Sequence, residues 1–407
     1  MPNKINILFA SHTCYLDTYN GASVATRSLM ECLARRGFAV EALSGSLLES
    51  TGGEDFALWL ARREFAFEKS CDPLGQTAYR THASGVAVTL CGCPTTIPHI
   101  PDEAERRSFI RIFQETIDRF RPDIVVNFGG DPLATEIRRR ARASNSSVVF
   151  ALHNFNYNSP TPFADVDAII VPSRFAASYY RKTLGIECKP LPNLVNFDLV
   201  RASTRIPRYV TFVNPSYEKG VFVFARIADE LGLRRPDIPL LVVESRGTER
   251  TLVDCGVDLR AYGNVSLMAH TPDPRHFWGV TRICVMPSLW WENQPLVAVE
   301  AMINGVPVIG SDRGGFPETL GDGGIVLGIP ARLTPETREL PTSEEVNPWV
   351  KTIIGLWDDP AWYSEQSRRA LAETHRWMPE VLEPQYVRFF EDLRPLSELA
   401  KGEKIIR

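Results

Sequence analysis

Short apolar runs alternate with longer amphipathic runs along most of the chain. An apolar run of about four to eight residues is typical of a buried strand, and apolar positions three or four apart are typical of a covering helix. The first half predicts strands near 5–10, 39–44, 85–90, 123–128, 147–152 and 167–171, and helices near 22–36, 103–121, 132–144 and 174–184. This alternation predicts a parallel sheet covered by helices.

The same alternation starts again after a polar segment, 196–208. Strands are predicted near 209–213, 239–244, 265–268, 282–287 and 306–310, with helices near 219–233 and 295–304. The sequence therefore predicts an α/β protein of two Rossmann-like domains, 1–203 and 204–375, and a C-terminal helical segment, 376–407, that packs back toward the N-terminal domain. Ligands of open parallel sheets bind at the carboxyl ends of the strands, so we expect function in the loops that follow strands, facing a cleft.

Composition and charge exclude several classes of protein. The 407 residues are 44% hydrophobic and 23% charged, as in an ordinary globular protein of two domains. The net charge is −4, and residues 1–203 carry 22 Lys and Arg against 21 Asp and Glu, a balance of about +1. Neither half is basic enough to predict a nucleic-acid partner.

The chain contains no apolar run near the roughly 20 residues that span a bilayer, and no signal peptide is recognised before 5–10. We expect a cytoplasmic protein. Peripheral membrane contact stays open, because Phe56 and Trp59, or the arginine cluster 138–142, suit either such a face or an ordinary core and a solvated helix. The eight cysteines suggest reduced thiols, and Cys91-Gly92-Cys93 lacks the spacing of a zinc site, so we expect no metal.

The most informative segment, 287–302, reads PSLWWENQPLVAVEAM. It follows a predicted strand and opens a predicted helix with Pro295 in its first turn, where free N–H groups and the helix dipole favour a phosphate. Glu292 precedes the helix and Glu300 lies inside it. Carboxylates beside an anion site suit the hydroxyl donors of a sugar or ribose, whereas isolated glutamates are more typical of a helix end and a solvated face.

This segment resembles the Glu-x7-Glu signature of retaining glycosyltransferases of family 4, and the sequence GVPVIGSDRGGFPE at 305–318 resembles the next block of that family. The resemblance implies the GT-B fold and the transfer of a sugar from a nucleotide-diphosphate sugar, with a UDP-sugar favoured, without a metal or other cofactor. It implies Glu300 for the nucleotide ribose and Glu292 for the donor sugar near the reacting carbon. The residues it assigns to the sugar hydroxyls and the diphosphate are Asn293, Gln294, Pro295 and Leu296.

Residues 213–220, VNPSYEKG, resemble the family's block after the first strand of the second domain, where an Arg and a Lys hold the diphosphate. Lys219 matches the Lys. Asn214 stands at the Arg position and can donate a hydrogen bond but carries no charge, and Arg246, in the loop after the next strand, is the candidate substitute. In the first half, Gly21 lies between the first strand and a helix, where its backbone N–H would approach a phosphate.

His153 ends the predicted strand 147–152. A lone histidine is usually structural, but its position resembles the family histidine that is directed at the donor sugar, so His153, Glu292 and Lys219 form the implied catalytic set. A glycan, a lipid-linked or a small-molecule acceptor fits this reading, and the oligomeric state stays open. Two alternatives remain: another GT-B enzyme, such as an epimerase or a phosphorylase, or a non-catalytic relative that binds glycans or a partner, which Asn214 favours.

Overall fold

A computed structural model of the chain describes residues 4–49, 52–73, 75–259 and 261–393. The chain divides into two compact units. The first unit contains Met1–Pro172, Ala177–Leu194 and the residues from Leu382 onward, and the second contains Ser173–Ala176 and Val195–Val381. The part of the predicted C-terminal segment after residue 393 lies outside the described residues.

The sheet of the first unit has nine strands within the described residues, in the order β3-β4-β5-β2-β1-β6-β7-β8-β9. Their bounds are β1 Asn6–Thr13, β2 Ala39–Leu47, β3 Glu68–Cys71, β4 Thr77–Ala83, β5 Val86–Cys91, β6 Ile124–Asn127, β7 Ser147–Ala151, β8 Ala168–Val171 and β9 Lys189–Pro190. In this spatial order, every pair of neighbouring strands between β5 and β9 is parallel. At the other edge, β4 is antiparallel to both β3 and β5. The hairpin of β3 and β4 thus adds two antiparallel strands, which the sequence pattern did not predict, to one edge of the predicted parallel sheet.

The sheet of the second unit has six parallel strands among the described residues, in the order β12-β11-β10-β13-β14-β15. Their bounds are β10 Tyr209–Val213, β11 Leu240–Val243, β12 Val265–Met268, β13 Thr281–Met286, β14 Val308–Ser311 and β15 Ile325–Leu327. Apolar side chains of β10 and β13 are buried in the core under the covering helices. There the ring of Phe212 on β10 stacks on the ring of Phe224 on α7, with centroids 4.4 Å apart. The predicted α/β class with two Rossmann-like domains is confirmed.

Helices separate most of the strands. Their bounds are α1 Gly21–Arg35, α2 Phe56–Arg62, α3 Glu103–Phe120, α4 Pro132–Ala143, α5 Arg174–Leu184, α6 Phe197–Val200, α7 Val221–Arg234, α8 Glu249–Val253, α9 Arg275–Trp278, α10 Leu296–Ile303, α11 Phe316–Leu320, α12 Ser343–Asp358, α13 Pro360–Glu373 and α14 Pro379–Asp392. Among the described residues, every helix is too short or too polar to cross a bilayer.

Of the residues that the sequence left open between a surface and a core role, those of the apolar segment and the first arginine of the cluster are buried. Phe56 and Trp59 of α2 are buried, and their rings stack. Arg138 of α4 is also buried, and its guanidinium donates to the side-chain oxygen of Asn127 and to the carbonyl of Gly129. Because a buried guanidinium needs acceptors, these contacts explain why an arginine occupies the inner face of α4.

Candidate functional site

An ion pair lies between two loops of the second unit, the one after β10 and the one after β13. The Nζ atom of Lys219 donates to Oε1 of Glu292 at 2.5 Å, and the hydroxyl of Ser288 donates to the same oxygen at 2.8 Å. The Glu292 side chain is buried, whereas 22% of the Lys219 side chain is exposed. A buried carboxylate is costly without hydrogen-bonded partners, so the contacts with Lys219 and Ser288 stabilise the Glu292 side chain in this position.

Close backbone packing of the two loops brings Lys219 to Glu292. The N–H groups of Leu289 and Trp290 donate to the carbonyl of Glu218, at 2.9 and 3.0 Å. Gly220 precedes α7 with φ +80°, and a Cβ atom there would lie 2.0 Å from the carbonyl oxygen of Pro287. Only a glycine fits this left-handed position against another backbone.

Two helices begin next to this ion pair. α7 starts directly after Gly220, and α10 starts directly after Pro295. The sequence predicted Pro295 in the first turn of α10, whereas in the structure it is the N-cap residue, one position earlier. Neither helix has a side-chain hydrogen bond at its cap. The N–H groups in the first turn of a helix have no partner within that helix, so these two helix starts, with the ammonium group of Lys219, form an arrangement suited to an anion.

The glycine pair 314–315 supports the loop that carries Glu292. Gly314 forms a parallel bridge with Glu292, and the N–H of Gly315 donates to the Glu292 carbonyl at 2.6 Å. Gly314 has φ +62°, and a Cβ there would lie 2.4 Å from that carbonyl oxygen. On the other side of the loop, Asn293 accepts a hydrogen bond of 2.8 Å from the hydroxyl of Ser173. Glu292 and Asn293 are thus held in place by contacts on both sides of the loop.

Glu300 lies on α10 and contacts a different partner. Its Oε2 atom accepts a hydrogen bond of 3.2 Å from the indole N–H of Trp278. Burial raises the pKa of the Glu300 carboxyl to about 7, and the indole N–H offsets part of this rise. No hydrogen bond joins Glu300 to Glu292 within the described residues. The structure therefore brings Lys219 and Glu292 together and places Glu300 in a separate environment on the same loop-and-helix segment.

Asn214 connects the loops after β10 and β11. It has φ +63°, and its Oδ1 atom accepts a hydrogen bond of 2.8 Å from the N–H of Gly247. A Cβ at Gly247 would lie within 2.3 Å of the Pro215 backbone, so these loops also touch closely. Arg246 is exposed and immediately precedes Gly247. Asn214, at the position where the sequence resemblance expects an Arg, thus holds the loop that carries Arg246.

Two further candidates lie in the first unit. His153 follows β7, and its Nε2 atom lies 3.2 Å from the hydroxyl of Thr26 on α1, the helix that Gly21 begins. Burial lowers the pKa of His153 to about 4, so the imidazole is neutral at neutral pH. Gly21 is exposed with open space where a Cβ would be, and the side chain of Asn20 caps the N–H of Ala22 at 2.8 Å.

Sequence reasoning missed three residues that shape this region. Ser288 carries no motif that marks it as a partner of Glu292, and Trp278 is separated from Glu300 by 22 residues. Gly220 did leave a signal, since a glycine directly before a helix is compatible with a left-handed turn. The contacts between separate loops are what a linear pattern does not contain.

Comparison with known proteins bears on this second unit most directly. Residues 207–341 match the family model for Glycosyl transferases group 1. The lipopolysaccharide 1,2-N-acetylglucosaminetransferase of Salmonella typhimurium is 26% identical over 216 residues, which cover 46% of this chain and 55% of that protein. The phosphatidyl-myo-inositol mannosyltransferase of Mycolicibacterium smegmatis is 27% identical over 232 residues, covering 54% and 56%. The chain spans about half the length of these curated relatives, and the matches support a glycosyltransferase family.

Solved structures resemble the chain over nearly its whole length. The sucrose-phosphate synthase of Thermosynechococcus elongatus has a TM-score of 0.68 at 17% identity, with 96% of this chain and 99% of that chain covered. Anabaena HepE in complex with UDP and glucose has a TM-score of 0.65 at 15% identity, covering 95% and 100%. The fold is therefore the GT-B fold that the sequence resemblance implied.

Proposed function

We propose that this chain is a retaining glycosyltransferase that moves a sugar from a nucleotide-diphosphate sugar, with a UDP-sugar favoured, to a hydroxyl acceptor. The observation that carries the proposal is the contact between Lys219 and Glu292 beside the starts of α7 and α10. A cation and a buried carboxylate lie there beside two helix starts in the sequence, and these groups suit a sugar diphosphate.

The diphosphate is the leaving group, and its negative charge grows as the glycosidic bond breaks. Fixed N–H groups and an ammonium stabilise that charge more strongly in the transition state than in the ground state. Lys219 and the starts of the two helices supply positive charge from the protein itself. We therefore propose that transfer proceeds without a metal ion.

The carboxylates suit the hydroxyl groups of the donor. Glu292 is held in place by Lys219 and Ser288, and it would accept hydrogen bonds from the sugar near the reacting carbon. Glu300 would accept from the ribose hydroxyls, which favours its ionised form. His153 is neutral at neutral pH and would orient the sugar through a hydrogen bond. Glu292 and Lys219, with His153, are thus the proposed catalytic set.

Arg246 is the proposed second cation for the diphosphate. Asn214 anchors the adjacent Gly247, so the loop that bears Arg246 is held next to the loop that ends in Lys219. An asparagine at position 214 would then serve the site by fixing this loop, and the missing charge would come from Arg246.

Two comparisons favour parts of this proposal. Anabaena HepE was solved with UDP and glucose, which supports a UDP-sugar as the donor. The names of both curated relatives include a lipid-containing acceptor, a lipopolysaccharide and a phosphatidyl-myo-inositol, which favours a lipid-linked acceptor over a small molecule.

The test uses purified protein in EDTA with UDP-, GDP-, ADP- and TDP-sugars, and measures the release of nucleoside diphosphate. We expect release from one donor, with Lys219→Gln lowering the affinity for the matching diphosphate about 10- to 100-fold in calorimetry, since a hydrogen bond to a charged group contributes about 1.5–3 kcal/mol. Lys351→Gln, an exposed lysine of α12, is the matched control and should bind like the wild type.

Three results would decide against parts of the proposal. If the protein bound none of the diphosphates, the proposed donor site in the second unit would be wrong. Tight binding without release, even with lipid-linked acceptors present, would favour a non-catalytic binding protein. A product of inverted anomeric configuration, read by NMR, would exclude the retaining mechanism.

A further inference from the structure

A pocket of about 390 Å³ lies in the first unit, and the proposed transfer uses none of the residues that line it. Its wall includes His12 near the end of β1, Cys93 after β5, and Glu105 in the first turn of α3. The carboxyl ends of β1 and β5 meet at the same edge of the sheet, which explains how residues 12 and 93 come together.

The three side chains converge at metal-binding distances. A ring nitrogen of His12, the sulfur of Cys93 and a carboxylate oxygen of Glu105 all lie within 4.8 Å of one another. The distance from Cys93 Sγ to His12 Nε2 is 3.4 Å. In a tetrahedral zinc site, with Zn–S about 2.3 Å and Zn–N about 2.0–2.1 Å, a sulfur and a nitrogen ligand are about 3.6 Å apart.

Neighbouring groups hold Glu105 and the backbone of Cys93 in place. The Nε2 atom of His99 lies 2.8 Å from Oε1 of Glu105, and the N–H of Asp102 donates to Oε2 at 3.0 Å. The N–H of Cys93 donates to the hydroxyl of Ser46 at 2.8 Å. Each carboxylate oxygen has a second lone pair, so these hydrogen bonds leave Glu105 able to bind a metal. Support of this kind around the ligands is characteristic of metal sites.

We propose that His12, Cys93 and Glu105 bind a divalent metal ion of the zinc class, with the fourth coordination position open to the pocket. A nitrogen, a thiolate and a carboxylate form a ligand set that zinc accepts. The sequence expectation of no metal rested on the spacing of Cys91 and Cys93 and, for sugar transfer, on the family resemblance. The proposed site uses only the second of these cysteines and takes its other ligands from distant segments, so the Cys91-Gly92-Cys93 spacing does not bear on it.

The proposal is tested by metal binding to the full chain after treatment with EDTA and removal of the chelator. Titration with ZnCl2 in a calorimeter should show one site per chain, and titration with Co²⁺ should give a thiolate-to-cobalt charge-transfer absorption. Cys93→Ser, His12→Gln and Glu105→Gln should each remove this site. His99→Ala should weaken zinc binding about 10- to 100-fold, as expected for a residue that orients a ligand.

Matched controls are Cys71→Ser and His82→Gln, which change an exposed thiol and an exposed imidazole on β3 and β4. Both should bind zinc like the wild type. Failure of the wild type to bind, or binding that Cys93→Ser leaves unchanged, would overturn the proposal. The proposed transfer is measured separately, so this result does not depend on it.

Alkylation of the wild-type protein gives a second test that needs no variant to fold. Zinc should protect Cys93 from iodoacetamide, read by mass spectrometry, and leave the alkylation of Cys71 unchanged. Rapid alkylation of Cys93 at the same rate with and without zinc would overturn the proposal and indicate a reactive thiol paired with the His12 imidazole.

Discussion

Glu300 couples the stability of the protein to pH. Its carboxyl has a folded-state pKa raised to about 7 by burial, against an ordinary value of 4.5. Between these values the folded chain keeps a proton that the unfolded chain gives up. Stability therefore falls as pH rises from about 4.5 to about 7 and is not reduced further by this group at higher pH.

Glu300→Gln should remove this dependence, because the amide carbonyl still accepts from the Trp278 indole but carries no charge. We expect the variant to match the wild type near pH 5 and to be more stable by about 1–3 kcal/mol at pH 8. Urea unfolding at the two pH values measures the difference. Glu336→Gln, an exposed glutamate of the same unit, should leave both values unchanged. An equal gain at pH 5 and pH 8 for Glu300→Gln would contradict the assignment.

Individual residue types were easier to predict than their partners. The family resemblance selected Lys219 and Glu292 separately, each for its own role toward a donor. Their contact joins positions 73 residues apart, and it depends on the close approach of two loop backbones. The roles of both residues in transfer stay predictions, and the ion pair between them is a finding that spacing along the chain does not contain.

At the scale of elements, the start of α7 is the most constrained point of the candidate site. Gly220→Ala should destabilise the protein by about 3 kcal/mol or more, since it combines a left-handed backbone with a clash at the Pro287 carbonyl. Gly256 has φ +70° with no atom within 4 Å of the added Cβ, so Gly256→Ala should cost only about 1–2 kcal/mol. Thermal unfolding of both variants gives the comparison, and equal losses would show that the clash relaxes.

Most elements could be predicted because they bury a regular apolar pattern. The predicted strands and helices lie within about three residues of those observed, and 209–213 is matched at both ends. The strands β9 and β15, the helices α12 and α13 and the hairpin of β3 and β4 were missed. β3 contains Glu68 and Lys69, both exposed, and lies at an edge, where pairing of the backbone rather than burial of side chains forms the strand.

At the scale of the whole molecule, the chain returns to its first unit at the end. In α14, Leu382, Tyr386 and Phe390 are buried, and the Tyr386 hydroxyl donates to the carbonyl of Leu191 at 3.1 Å. Glu383 is buried and accepts from Arg35 at 2.8 Å and from Arg36 at 2.6 Å. The described part of the C-terminal helix thus completes the packing of the first unit.

Glu383→Ala should lower the stability of the first unit by about 1–2 kcal/mol, since two hydrogen-bonded arginines lose their shared acceptor. Limited proteolysis with mass spectrometry, together with thermal unfolding, would detect this loss and assign it to a unit. Glu380→Ala, an exposed glutamate of the same helix, should behave like the wild type. Equal effects of the two variants would indicate that the ion pairs contribute nothing measurable.

The order of synthesis gives this late return a consequence in the cell. A ribosome that has finished Leu194 must still translate the whole of Val195–Val381 before the residues that complete the first unit appear. At roughly 5–20 residues per second, this takes on the order of 10–40 s. Throughout that interval the surface that Leu382, Tyr386 and Phe390 will cover is exposed to solvent, so the nascent chain offers an apolar site to chaperones until α14 has been translated.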